Sequence, residues 1–244
     1  MLCIRCSRLK PFPTNSKWFS TCRRIQNSPK NKCLEYSNDA NVRAIAADNF
    51  ALLENFITEG EESSLIREID TKWKRLKYQK GHWDNAIEDY RELEISSWSK
   101  PNAAIIQRVQ EVAFEQGDTK NNLIHVLDLA EHGFINPHVD SVRFCGRVIA
   151  GLSLLSPCVM KYTHKDDASV WFQALLQRRS LYIMKDRVRY DFKHEILRNE
   201  RSIFKNEIIP KFRRVSVLCR SQAIGSENER PGSLFQPITL NENT

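Results

Sequence analysis

The chain has 244 residues, of which 41% are hydrophobic, 9% aromatic and 27% charged. This composition is ordinary for a globular protein and excludes collagen-like, low-complexity and wholly disordered chains. The longest apolar stretch, residues 148–155, is interrupted by Gly151 and Ser153 and is far too short to cross a bilayer. We therefore expect no membrane span.

The net charge of +7 is concentrated at the N-terminus. Residues 1–34 carry eight basic residues and no acidic residue, whereas the rest of the chain carries 29 basic and 30 acidic residues, a net charge of −1. An Arg-rich, acid-poor leader without an apolar core is typical of a mitochondrial transit peptide. We predict that residues 1–34 direct the protein to the mitochondrial matrix and are removed. The alternative is a basic arm that stays attached and binds RNA or anionic lipid.

Cysteine usage favours a reducing compartment. Four of the seven cysteines lie in residues 1–34, which leaves Cys145, Cys158 and Cys219 in the rest of the chain. Three scattered cysteines do not make a disulfide framework.

Residues 35–122 predict a helical N-terminal part that packs on a core. Residues 50–57 favour a short buried strand or turn, and Thr58 with Glu61 matches a capping box at the start of a helix. Residues 77–100 are polar and aromatic and predict a loop with a short turn. Pro101 suits the first turn of a second helix.

From residue 123 the chain changes to short β-rich runs. These runs are LIHVLDL, SVRFCGRVIAGLSLLSP, CVMKYTH, SLYIMKD, VRYDF and RRVSVLCR. Closely spaced strands without long intervening helices predict an antiparallel sandwich or barrel over residues 123–220. The fold class is therefore mainly β with flanking helices. Residues 221–244 are polar, lack periodicity and predict a flexible tail.

Two histidines and one aspartate form the first candidate site. His138 and Asp140 are two positions apart, so on a strand both side chains point to the same face. His194 lies in the same β-rich half and completes two histidines and one carboxylate. This is the ligand set of the non-haem Fe(II) oxygenases, which leaves coordination positions open. A surface His-x-Asp pair with an unrelated histidine is the alternative.

Two arginines point to an anion on the same side of one strand. Arg214, Ser216 and Arg220 share one face of the run RRVSVLCR, and Val215 and Val217 share the other. A guanidinium binds a carboxylate through two parallel hydrogen bonds, and a buried cation without an anion is very costly. An exposed edge strand with solvated arginines is the alternative.

The order His-x-Asp, His, Arg-x5-Arg resembles the AlkB-like Fe(II)/2-oxoglutarate-dependent dioxygenase family. The segments HVLDL, INPHVDS, FCG, IAGLSLLSP, SLYI, RYDFKHEI and RRVSVLCR are closest to a mitochondrial member of that family. The resemblance covers residues 50–220 and includes several motifs in the same order. It implies a double-stranded β-helix, or jelly-roll, as the core.

The resemblance also implies the roles of individual residues. His138, Asp140 and His194 would bind one Fe(II) per subunit and form the catalytic site. Arg214 would hold the far carboxylate of the cosubstrate 2-oxoglutarate. The supporting contacts to the chelated cosubstrate would come from His125, Tyr182, Ser216 and Arg220.

The sequence departs from the family pattern on one strand. An asparagine and a tyrosine that touch 2-oxoglutarate in much of the family match His125 and Leu127 here. His125 can still form a hydrogen bond, but Leu127 cannot replace a phenol. The departure concerns the contacts of the cosubstrate and leaves the three metal ligands intact.

The implied activity uses O2 and 2-oxoglutarate to hydroxylate a protein or small-molecule substrate in mitochondria. The resemblance further implies a link to fatty-acid metabolism and regulated necrosis. RNA or DNA N-methyl demethylation is the alternative activity, with RNA favoured over duplex DNA because residues 35–244 carry no net positive charge. A regulatory protein that binds metal and 2-oxoglutarate with little turnover is the second alternative. We expect a monomer.

Overall fold

The computed structural model describes residues 32–74, 76–82 and 85–223. The predicted leader and tail lie outside these residues except for 32–34 and 221–223. Leu34 is the first residue of strand β1 and pairs with Ala174, so the predicted boundary at residue 34 coincides with the start of a strand. No helix among the described residues is long and apolar enough to cross a membrane.

The described chain contains four α-helices, a 3-10 helix and thirteen strands. The helices are α1 (Val42–Asn49), α2 (Glu59–Lys72), α3 (Lys100–Ala113), α4 (Asp186–Asp191) and the 3-10 helix Asn199–Arg201. The strands are β1 (Leu34–Tyr36), β2 (Phe50–Leu53), β3 (Gln79–Gly81), β4 (Ile87–Ile95), β5 (Ile124–His138), β6 (Val148–Leu154), β7 (Cys158–His164), β8 (Trp171–Leu176), β9 (Ser180–Lys185), β10 (Phe192–Ile196), β11 (Ile203–Phe204), β12 (Glu207–Ile208) and β13 (Arg214–Arg220).

Eleven of these strands form one curled antiparallel sheet. The main path runs β1-β8-β7-β10-β5-β13-β6-β9-β2, with β4 attached to β5 and β3 attached to β4. The long strand β5 joins the two halves, because its first part pairs with β13 and its last part pairs with β10. This arrangement confirms the predicted double-stranded β-helix with flanking helices. It also shows that residues 35–122 contribute strands to the sheet as well as helices.

A glycine lets β5 turn from one half of the sheet into the other. A Cβ on Gly133 would lie 2.4 Å from the backbone oxygen of Asp89, on the neighbouring strand β4. The pairing of β4 with β5 shifts register beside Asp89, whose φ is 47°. A side chain at residue 133 would therefore push the two strands apart where the sheet bends.

Two apolar clusters cover the opposite faces of the sheet. The outer cluster packs α2 and α3 against one face, and it includes Val215 and Val217 of β13 together with Leu65 and Val109 of the helices. The inner cluster fills the space between the two halves. The alternation predicted for 214–220 is confirmed, since the valines face the helices while Arg214 and Ser216 are buried on the opposite side of the strand.

The two predicted helices are confirmed. At the start of α2, the backbone N–H of Glu61 donates to Oγ1 of Thr58, and the N–H of Thr58 donates to Oε2 of Glu61. This pair is the predicted capping box. Pro101 lies in the first turn of α3. Backbone N–H groups in a first turn have no acceptor within the helix, so the lack of an N–H in proline costs no hydrogen bond there.

Two local predictions were wrong. Residues 77–100 contain β3 and β4 rather than a loop with a short turn. In β4 only Tyr90 and Ile95 are fully buried, so its apolar residues do not alternate clearly enough to reveal a strand. The run VRYDF forms most of helix α4 instead of a strand. A short apolar run does not distinguish these two structures by periodicity alone.

Candidate functional site

The structure brings His138, Asp140 and His194 together at the end of β5. His138 and His194 are directly paired across β5 and β10, and their ring centroids lie 4.3 Å apart. The Asp140 carboxylate lies 3.5 Å from Nε2 of His138 and 3.9 Å from Nε2 of His194. One ligand atom from each residue lies within 4.8 Å of the others, so the group could hold one metal ion.

The backbone orients one of the two imidazoles. Nδ1 of His138 lies 2.9 Å from the carbonyl oxygen of Asn136, two residues earlier on β5. A carbonyl oxygen can only accept, so Nδ1 carries a proton and donates to it, and Nε2 faces Asp140. A histidine that ligates a metal commonly uses its second nitrogen in this way.

The charges of the group suit a divalent cation. Burial lowers the pKa of His194 to about 4, so its imidazole is neutral at physiological pH. Burial alone would raise the pKa of Asp140, but His194, the hydrogen bond from His138 and the charge of Arg220 outweigh it and hold that pKa well below its usual range. A neutral imidazole beside an ionised carboxylate is the state that a metal requires.

Arg214 is buried with an incomplete set of partners. Its side chain is 1% exposed, its Nε donates to Oγ of Ser153 at 3.2 Å, and its Nη1 donates to Oγ of Ser216 at 2.5 Å. Among the described residues, its Nη2 has no hydrogen-bond partner and no carboxylate pairs with it. A buried guanidinium in this state requires an anion.

Tyr182 lies between Arg214 and the three clustered ligand residues. Burial raises the pKa of its hydroxyl, and the charges of Arg214 and Asp140 act on it with opposite sign. Its ring lies against β6, where Tyr182 is paired with Gly151. A Cβ on Gly151 would lie 2.5 Å from that ring, so the glycine provides the space in which the phenol lies.

His125 and Leu127 lie on the same half of the sheet as Tyr182, with β13 and β6 between the two strands that carry them. His125 pairs with Leu218 and Leu127 pairs with Ser216, which places both side chains on the inner face of β5. Burial and the charge of Arg220 keep the pKa of His125 well below its usual value, so the imidazole is neutral. Its Nε2 lies 3.3 Å from a carboxylate oxygen of Glu92.

Arg220 lies at the end of β13 where the metal group is found, whereas Arg214 lies at the other end. The two arginines are six positions apart on the strand, which is a distance of roughly 20 Å between their Cα atoms. The charge of Arg220 helps to lower the pKa of Asp140, whereas burial raises the pKa of the neighbouring Cys145 thiol despite that charge. The two cations therefore cannot hold the same carboxylate.

Three residues near this site were missed by the sequence analysis. Tyr162 is fully buried, and its ring centroid lies 6.2 Å from that of His194. Ser153 contacts Arg214, and Arg189 donates to the loop that follows Asp140. Because side chains alternate between the two faces of a strand, the alternation along β6 and β7 would have placed Ser153 and Tyr162 on the inner face of the sheet. No sequence signal would have found Arg189, because it acts through backbone carbonyls.

Two relatives of known class are similar to this chain over most of its length. No protein-family model matches the chain. The mitochondrial alpha-ketoglutarate-dependent dioxygenase alkB homolog 7 of Bos taurus is 49% identical over 179 residues, which is 73% of this chain and 81% of the relative. The protein of the same name from Mus musculus is 45% identical over 80% of this chain and 88% of the relative.

A solved structure shows that the fold extends over most of the chain. A prolyl hydroxylase from Trichoplax adhaerens, in complex with a peptide of hypoxia inducible factor, superposes with a TM-score of 0.51 at 9% identity. The match covers 89% of this chain and 96% of that protein. The protein is therefore a dioxygenase that depends on 2-oxoglutarate (alpha-ketoglutarate) and has the jelly-roll fold. Within that class, the chain belongs to the family of the mitochondrial alkB homolog 7 dioxygenases.

Proposed function

We propose that the protein hydroxylates a protein side chain or a small molecule in the mitochondrial matrix. In this proposal His138, Asp140 and His194 hold one Fe(II) per subunit, and Arg214 holds the far carboxylate of 2-oxoglutarate. The observation that carries the proposal is the buried guanidinium of Arg214, whose Nη2 lacks a hydrogen-bond partner among the described residues, while its Nε and Nη1 donate to the hydroxyl groups of Ser153 and Ser216.

The residues present fit the metal that the family implies. Two imidazoles and an ionised carboxylate, with ligand atoms within 4.8 Å of one another, match the facial triad of non-haem iron proteins. Fe(II) bound there would supply the oxidation of a substrate C–H bond by O2, coupled to decarboxylation of 2-oxoglutarate to succinate and CO2.

The protein's own groups would orient the cosubstrate. Arg214 presents two N–H groups in a planar fork, and Ser153 and Ser216 fix the rotation of that fork. Tyr182 and His125 would contact the cosubstrate between Arg214 and the metal. Arg220 would keep Asp140 ionised and support the end of the cosubstrate that is bound to iron.

The location and substrate belong to the same proposal. The two relatives are named as mitochondrial proteins, and residues 1–34 have the composition of a transit peptide. Residues 35–244 have a net charge of −1, which favours a protein or metabolite over a polyanion. A link to fatty-acid metabolism and regulated necrosis is supported by the family resemblance alone. We expect the enzyme to act as a monomer.

The proposal is tested by substrate capture and turnover. The full chain is incubated with Fe(II), ascorbate, 2-oxoglutarate and a mitochondrial matrix extract, and mass spectrometry follows proteins, metabolites and RNA. We expect succinate formation together with the gain of one oxygen atom on a protein or metabolite, and neither with His138→Ala. Loss of methyl groups from RNA with release of formaldehyde would instead show that the enzyme is a demethylase. Binding of 2-oxoglutarate without succinate formation would favour the regulatory alternative.

A further inference from the structure

We propose that Arg189 is a positioning residue that fixes Asp140 relative to His194. The inference rests on the proposed role of these two residues as metal ligands. Arg189 lies on α4, five residues before His194 on the adjoining strand β10. Its guanidinium is 1% exposed, although no carboxylate pairs with it among the described residues.

The guanidinium binds the loop that starts immediately after Asp140. Residues 141–146 form this loop, hereafter the 141–146 loop. Nε of Arg189 donates to the carbonyl of Gly146 at 3.1 Å, and Nη2 donates to the carbonyls of Cys145 at 3.0 Å and Ser141 at 3.3 Å. One side chain therefore holds the loop at both of its ends.

The middle of the loop is exposed, although Cys145 near its end is buried. Val142 and Phe144 are 63% and 46% exposed, so they contribute little apolar burial. The loop closes on itself through two backbone hydrogen bonds to the Ser141 carbonyl, and its far end is tied by the N–H of Gly146 to Ser221. A segment with few buried apolar contacts opens easily unless polar contacts hold it. The bonds from Arg189 connect this loop to α4.

A second contact locks the same two elements together. Immediately after the loop, Arg147 forms an ion pair of 3.0 Å with Asp186 at the start of α4, and the N–H of Asp186 donates to the carbonyl of Arg147. The loop that follows Asp140 and the helix that precedes His194 are thus joined at two points. Two metal ligands from distant parts of the sequence would be held at a constant separation.

The choice of a buried arginine supports a positioning role. Burying a charge without a counter-ion costs more than burying an apolar side chain of similar size, so stability alone would not favour arginine here. The planar fork of arginine reaches three carbonyls in a fixed geometry, which neither lysine nor an apolar side chain can do. The residue stabilises one particular arrangement of the loop.

The test compares metal affinity in variants of the full chain. Mn(II) binding is titrated by electron paramagnetic resonance in the wild type, Arg189→Met and Arg189→Lys. Arg189→Met should weaken Mn(II) binding by about 10- to 100-fold, the range for residues that orient metal ligands. Arg189→Lys keeps the charge and part of the hydrogen bonding, so its affinity should lie in between. Hydrogen exchange of the 141–146 loop should be faster in both variants, with and without Mn(II).

Lys211→Met is the matched control. Lys211 is also 1% exposed, and its Nζ donates to the carbonyls of Ala130 and Glu131, away from the metal ligands. This variant removes a buried cation and its carbonyl contacts elsewhere in the fold, and it should leave the Mn(II) affinity unchanged. Equal losses of affinity in Arg189→Met and Lys211→Met, or wild-type affinity and exchange in Arg189→Met, would overturn the inference. If Asp140→Ala binds Mn(II) like the wild type, the metal site itself is wrong and the inference falls with it.

Discussion

His138 and His194 face each other across the pairing of β5 with β10, in direct register and with ring centroids 4.3 Å apart. Side chains alternate between the two faces of a strand, so a shift of one residue would turn one imidazole away from the other. The metal group therefore depends on the register of two strands that are more than fifty residues apart in the chain.

Removing one ligand should abolish metal binding. His138→Ala or Asp140→Ala leaves two ligands. The loss of metal affinity should exceed about 10- to 100-fold, which is the effect of removing a residue that orients a ligand. Isothermal titration calorimetry of the full chain with Mn(II) or Ni(II) measures the metal affinity. The Fe(II) content after anaerobic loading gives the stoichiometry. His164→Ala is a control outside the three-residue metal group. Unchanged metal content in both ligand variants would contradict the assignment.

Arg214→Lys should weaken 2-oxoglutarate binding. Lysine keeps the positive charge but lacks the planar fork, so the loss should be about 1.5–3 kcal/mol, the contribution of a hydrogen bond to a charged group. Calorimetry with Mn(II) present measures this affinity. Arg220→Lys should cost less, because Arg220 lies beside Asp140 at the other end of β13.

The neighbouring residue provides the control for that experiment. Arg213 pairs with Asp70 at 2.7 Å and with Asp128 at 2.9 Å. Arg213→Lys should therefore leave 2-oxoglutarate affinity unchanged. A wild-type affinity in Arg214→Lys would mean that another group holds the cosubstrate carboxylate.

Lys211 should make the free energy of unfolding depend on pH. Burial lowers its pKa from 10.5 to about 8, so the folded protein releases this proton more readily than the unfolded chain. Stability from this residue is therefore fully present above about pH 10.5 and is lost as the pH falls through about 8. Denaturant unfolding at several pH values should show that the difference in the free energy of unfolding between wild type and Lys211→Met changes with pH. A constant difference between pH 7.5 and pH 10 would contradict the lowered pKa.

Residues 1–34 should carry a fused reporter into mitochondria. The segment has eight basic residues and no acidic residue, which suits import by a transit peptide. Fluorescence microscopy and N-terminal sequencing of the endogenous protein check the location and the cleavage. The same segment with its basic residues replaced by glutamine is the control. An intact Met1 together with cytosolic staining would contradict the prediction.

Duplex DNA should bind weakly to the enzyme once the leader is removed. Besides the net charge of −1 over residues 35–244, the inner face of β4 presents Glu92 and Glu94 beside Leu127 and His125. Carboxylates at this position repel phosphates, so we expect a Kd above about 10⁻⁵ M at physiological salt. Fluorescence anisotropy with a methylated duplex measures it. Sub-micromolar binding with stoichiometric demethylation would show that duplex DNA is a substrate.

The sequence by itself determined the parts of this protein whose signals are local. The capping box of Thr58 and Glu61 and the alternation along β13 depend on residues a few positions apart, and both appear as predicted. The spacing of His138 and Asp140 predicted that their side chains lie together, and their side chains are 3.5 Å apart, although β5 ends at His138 and Asp140 follows it. The resemblance then supplied the fold, because several motifs occur in the order of one family.

The tertiary structure decided what depends on pairing between distant segments. Strand β4 is a strand because it pairs with β5, and its own residues do not alternate clearly. The direction of β13 through the sheet places Arg220, rather than Arg214, near Asp140. Arg189 contributes only through backbone carbonyls, which carry no residue identity and therefore leave no pattern in the sequence. Contacts of this kind form when the sheet closes, so only the folded chain defines them.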